Sequence, residues 1–271
     1  MFGFRQWRRQ RILRGGGVDD ATWQRAVNRF SFAMRLTEQE RKQLRDLVVL
    51  FLHEKQISAA GGLLLDREMK LGIAIQACIL VLNLGIDYYD GWVEIIVYPD
   101  EFVPRHEFRN EHGLIETDET SYAGQAWLQG PVILSWADVE NAGDADGVNV
   151  VIHEFAHKLD MLNGDANGFP PLNAGMSREA WAQTFTGAYK DLCRRVEAGE
   201  DTDIDPYATE APGEFFAVVS EAFFEMPDIV RETYPAVYAQ LAEFYRQDPA
   251  SRELPREWRL AGKARGERGE A

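Results

Sequence analysis

The chain has 271 residues, 45% of them apolar, and a formal charge of −15 at pH 7. The apolar share suffices for a substantial core, whereas the acidic balance argues against a nucleic-acid groove as the main surface, because phosphate binding needs clustered Lys and Arg. No run is long enough to span a membrane, and Cys78 and Cys193 show neither zinc-ligand spacing nor a disulfide framework, which points to two buried small hydrophobes in a reducing, cytoplasmic setting.

In chain order, Arg5, Arg8, Arg9, Arg11 and Arg14 make residues 1–15 a basic arm. It has no apolar core of the secretory kind and is read as an ordered or fraying arm rather than a nucleic-acid contact. Residues 37–55 open on the capping-box pattern Thr37-Glu38-Gln39-Glu40 and carry Leu44, Leu47, Val48, Phe51 and Leu52 on one stripe, so a helix is predicted. Residues 92–98 and 131–136 are β-rich runs bounded by Gly, Pro or Asp, and both are predicted strands. An apolar lead-in, residues 148–152, then enters His153-Glu154-Phe155-Ala156-His157 as a helix that Asn163-Gly164 closes. Residues 165–175, rich in Gly, Pro and Asn, form a loop that either shapes a cleft or simply connects helices. Residues 213–225 read as a nearly all-apolar helix, and residues 251–271 as a polar, flexible tail. Helices, a few strands, the histidine helix and more helices make a single helix-rich α+β body over residues 1–271, its small sheet packed on the histidine helix.

The histidine helix carries the chemistry. Residues four apart on a helix differ by about 40° of rotation and ~6 Å of rise, so both imidazoles project from one face at a spacing one small cation can bridge. Glu154 lies beside that face, placed to take a proton from water, and the H-E-x-x-H pattern proposes a zinc hydrolase with one Zn2+ per chain. Composition alone would produce such a pattern in about one sequence of this length in a hundred. A catalytic zinc wants a third protein ligand, and His53, His106 and His112 all lie upstream. Downstream, Glu214, Glu221 and Glu225 fall within about 20° of one line on their helix. Ionised acids on an otherwise buried helix require a cation or a hydrogen-bonded partner; the alternative is a solvated face.

HEFAHKLD at 153–160, YATEAPGEFFAV at 207–218, QACILVLNL at 76–84, GPVILSW at 130–136 and FYRQDP at 244–249 resemble the Mlc titration factor A family of zinc-dependent peptidases, over roughly residues 5–250. The catalytic part of that family is similar to the metalloprotease domain of anthrax lethal factor, so the resemblance implies a zincin-like fold. It also implies His153, His157 and Glu214 as metal ligands, Glu154 as general base and Tyr207 as oxyanion donor. From the residues alone, Tyr207 would be an ordinary half-buried tyrosine. The toxin relatives carry a second acid one turn after the ligand glutamate, where this chain has Val218; Asp160 is then the best-placed replacement. Family members are described as aminopeptidases, although no G-x-M-E-N loop is present and the nearest sequence, Gly124-Gln125-Ala126-Trp127, lacks the acid. A peptide substrate is therefore expected, with no direct nucleic-acid partner and no membrane partner. The family's name-giving member binds a transcriptional repressor, Mlc, which leaves a second implication: a non-catalytic protein that sequesters a regulator of the Mlc type.

Overall fold

The computed structural model of the chain describes residues 2–99, 130–143 and 146–254. Its helices are α1 (Phe2–Arg14), α2 (Asp20–Val27), α3 (Ser31–Met34), α4 (Glu38–Glu54), α5 (Arg67–Leu80), α6 (Trp136–Asn141), α7 (Val150–Asp160), α8 (Arg178–Glu197), α9 (Pro212–Glu225), α10 (Pro227–Thr233) and α11 (Pro235–Tyr245). Three strands, β1 (Gln56–Ala59), β2 (Glu94–Tyr98) and β3 (Val132–Ser135), form a parallel sheet in the order β1-β2-β3. The helix-rich α+β expectation therefore stands.

Local chemistry explains most boundaries. At the start of α4, the Thr37 side chain accepts from the Glu40 amide while the Glu40 carboxylate accepts from the Thr37 amide at 2.9 Å, the reciprocal capping predicted from sequence. Both predicted strands form, each slightly shorter than its apolar run. β1 was not predicted. It is only four residues long, and with one buried residue, Ile57, it carries no alternation to read. The three strands are held in register by Ile57 opposite Ile95 and Ile95 opposite Val132. Parallel neighbours need a crossover, and the link from β1 to β2 carries α5, buried at every position from Leu71 to Leu80.

α7 lies against α5, α9 and β3. Its inward face is fixed by Phe155, whose ring stands 5.7 Å from Phe51, 5.1 Å from Tyr89 and 5.6 Å from Trp92. Such tilted and edge-on pairs add specificity of orientation to the area they bury. With that face held in the core, the opposite one presents His153, Glu154 and His157. α7 ends at Asp160 and tightens into a 3-10 turn, Met161–Asn163, before Gly164 at φ 141°, so the closing signal lay three residues beyond the α-helix proper.

The basic N-terminal segment is helical and docked. Arg9 pairs with Glu54 at 2.9 Å and Asp87 at 2.6 Å, and Arg5 reaches Asp90. The Gly124–Trp127 sequence and residues 255–271 of the expected tail lie outside the described residues. Among the described residues no helix is long and apolar enough to cross a membrane.

Candidate metal centre

Asn149 starts α7. It lies just before the helix, its side chain accepting from the Ile152 amide at 3.0 Å, and it thereby satisfies one of the orphan donors of the first turn. From that start, the four-residue spacing brings the His153 and His157 rings to 4.7 Å, crossed at 81°. Their Nε2 atoms are 3.1 Å apart. α9 runs alongside and delivers Glu214 from its first turn. Its Oε2 is 3.0 Å from His153 Nε2 and 3.4 Å from His157 Nε2. One ligand atom from each of the three residues thus lies within 4.8 Å of the others.

The donor set fits a cation. His153 Nδ1 is 2.7 Å from Glu221 Oε1, and an ionised carboxylate only accepts, so Nδ1 bears the hydrogen and Nε2 offers a lone pair to the cluster. Two imidazole nitrogens and a carboxylate oxygen then converge with only positive charge able to reconcile them. Without a cation, that Nε2 lone pair would instead carry a proton at neutral pH, which a metal ion displaces. Burial opposes a charged His153, yet hydrogen bonds to Glu214 and Glu221 lift its pKa to about 10. Burial also pushes Glu214 up, but the two histidines outweigh it and hold its carboxyl well below the usual carboxylate range. A pocket that favours positive charge this strongly, with nitrogen and oxygen donors, suits zinc.

The remaining acids of the α9 stripe are buried, which excludes the solvated-face alternative: Glu221 is 5% exposed and Glu225 2%. Glu221 also accepts from the Asn149 backbone amide. Glu225 takes the Asn149 side-chain amide at 2.8 Å and the Ser31 hydroxyl at 3.4 Å. The stripe therefore divides its labour, with Glu214 at the cluster, Glu221 behind His153 and Glu225 on the cap of α7. Asn149 was missed in the sequence, although an Asn directly before an apolar helix is a readable cap signal.

Asp160 does not orient a histidine through any described hydrogen bond, and its assignment as the second acid is corrected. It is fully buried, and its carboxylate accepts from the amides of Gly168 at 2.6 Å and Phe169 at 2.8 Å. Burial raises its pKa to about 6 against those hydrogen bonds. The acid behind His153 comes instead from α9, because two turns separate Glu221 from Glu214 and the helix passes close along α7. The loop at 165–175 is a strap between the two helices. A Cβ on Gly168 would stand 2.5 Å from the Pro212 carbonyl oxygen, and one on Gly213 would stand 2.7 Å from that of Ala166. None of its residues lines the cleft over the histidines.

That cleft, about 400 Å³, is bordered by His153, Glu154, Tyr207, Val218 and Glu221. Burial raises the pKa of Glu154, with His153 and His157 opposing. Tyr207 sits in a 3-10 turn, Pro206–Thr209, whose capping Asp205 accepts from the Tyr207 amide at 2.8 Å. Its ring is 6.0 Å from that of His153. At 53% exposure it is half-buried, as the residues alone suggest, and lies at the edge of the cleft rather than in the core. Partial burial and the neighbouring Glu214 and Glu154 raise its pKa, so the hydroxyl keeps its proton at neutral pH and remains a donor.

Residues 4–246 match the family described as glucose-regulated metallo-peptidase M90. Proteins named Mlc titration factor A from Salmonella gallinarum and Salmonella choleraesuis are each 38% identical to this chain over 251 residues, covering 91% of it and 92% of theirs. One of the same name from Salmonella arizonae is 37% identical, covering 91% and 97%.

Proposed function

Because this chain belongs to the glucose-regulated metallo-peptidase M90 family, we propose that it is a zinc-dependent peptidase, acting as an aminopeptidase in the cytoplasm on a zincin-like scaffold, with His153, His157 and Glu214 holding one zinc ion. The observation that carries this reading is the convergence of those three ligand atoms within 4.8 Å, beside a cleft that also holds Glu154 and Tyr207. When bound there, zinc supplies Lewis acidity that polarises a peptide carbonyl and acidifies water. Glu154 accepts the proton of the attacking water and returns it to the departing amine; its raised pKa brings it nearer the range where a carboxylate can do both. Tyr207 donates its hydroxyl proton in a hydrogen bond to the carbonyl oxygen as charge develops, an interaction strongest in the transition state. Glu221 holds His153 in the tautomer that presents Nε2.

A second reading starts from the name shared by the Salmonella relatives, Mlc titration factor A, and from what the family resemblance implies: a protein that sequesters a transcriptional regulator of the Mlc type, with a role in sugar uptake. A base in the cleft favours catalysis, since sequestration has no use for one. Glu154→Gln separates the two. The near-isosteric amide should keep zinc at one per chain and the far-ultraviolet circular dichroism of the native protein while peptide turnover collapses. Turnover at the native rate in that variant would rule out the catalytic reading.

A further inference from the structure

We propose that α1 is a docking surface for an anionic lipid bilayer. α1 carries five arginines and no acid in a chain whose net charge is −15. Two of the arginines are committed to the body, Arg5 to Asp90 and Arg9 to Glu54 and Asp87. They fix the helix in one orientation, with Ile12 and Leu13 packed on the core. The opposite sector holds Phe4, Trp7, Arg8, Arg11 and Arg14, which at 100° per residue span about 120° of the helix. Phe4 is 72% exposed and Trp7 54%, and their rings stack at 5.9 Å. Arg11 lies over the Trp7 ring. Arg8, Arg11 and Arg14 form no ion pair among the described residues.

Two exposed aromatic rings interleaved with arginines on one outward face offer a bilayer surface both rings for the headgroup level and cations for anionic headgroups. Val93, 59% exposed, adds apolar surface beside Arg5 and Arg8 at the foot of the helix. Charge complementarity selects the lipid. The acidic body is repelled by a negative surface and α1 is attracted, so within a Debye length the field turns this helix towards the membrane. Stacking of a single-stranded nucleic acid would need rings splayed to receive bases, and these two rings are stacked on each other. The association is peripheral and revises the sequence expectation of no membrane partner without invoking a spanning segment.

The test is co-sedimentation of the zinc-loaded protein with vesicles of phosphatidylcholine alone or mixed with phosphatidylglycerol, at low and high salt. The protein should pellet with the anionic vesicles, less so as salt rises, and not with the neutral ones. Each arginine near the surface contributes about 5-fold in partitioning, so Arg8→Gln with Arg11→Gln should lower it by about 30-fold. Phe4→Ser with Trp7→Ser should release the protein from the vesicles at all salt concentrations. Both double variants should keep native zinc content and native turnover of a soluble peptide, because these side chains are far exposed on a helix outside the cleft. No pelleting with anionic vesicles at low salt overturns the proposal, as does equal pelleting of native and variant proteins. Tighter binding to a single-stranded oligoribonucleotide than to vesicles, lost in the same variants, overturns it in favour of nucleic acid.

Discussion

Glu221→Gln isolates the acid behind the first histidine. In the native protein the two carboxylate oxygens of Glu221 each take one buried hydrogen, from His153 Nδ1 at 2.7 Å and from the Asn149 amide. A carboxamide has one oxygen and one NH2, so it can satisfy only one of these donors. If its oxygen stays with Asn149, the NH2 faces Nδ1 and selects the tautomer with hydrogen on Nε2, the atom that should ligate. If its oxygen turns to His153, the Asn149 amide at the start of α7 is left unpaired in a site where Asn149 is fully buried. An unsatisfied buried donor costs about 1–3 kcal/mol, and loss of an acid behind a ligating histidine weakens metal binding by about 10- to 100-fold. Zinc affinity, measured by competition with a chromogenic chelator, should fall within that range, while circular dichroism of the helices is unchanged. Unchanged affinity in Glu221→Gln would refute the argument that this hydrogen bond sets the tautomer of His153.

Tyr207→Phe should lower kcat by ~10- to 1000-fold with zinc content intact, the range for removing one donor to a developing oxyanion; at 53% exposure the ring contributes little packing, so thermal stability should not move, and an unchanged kcat would deny Tyr207 a catalytic role. Asp160→Asn should act oppositely. Its oxygen can stay with the Gly168 amide while the NH2 faces the Phe169 amide, which keeps Asn167 Oδ1 as acceptor, so the cost in urea unfolding should be about 1 kcal/mol, the low end for a disturbed buried donor, with zinc affinity nearly native; a large loss of affinity with native stability would restore Asp160 as the acid behind a ligand.

What the sequence determined by itself was local in origin. The helical period of 3.6 residues places His153 and His157 on one face wherever α7 forms, and the Thr37–Glu40 box caps α4 through contacts three residues apart. The line of Glu214, Glu221 and Glu225 is equally a property of one helix, and it correctly marked α9 as buried around a polar seam. Resemblance, not period, selected Glu214 among the three. Tertiary structure decided what each acid does, because that depends on how α9 crosses α7, which neither helix encodes alone. Only that crossing puts Glu214 against the Nε2 pair, Glu221 against His153 Nδ1 and Glu225 on the Asn149 cap. It also explains why Asp160, three residues from His157 and attractive in the sequence, went instead to the amides of the strap. A buried carboxylate goes where backbone hydrogens converge, and those of Gly168 and Phe169, the latter shared with Asn167 Oδ1, are brought to it by a loop that folds back between the ends of both helices.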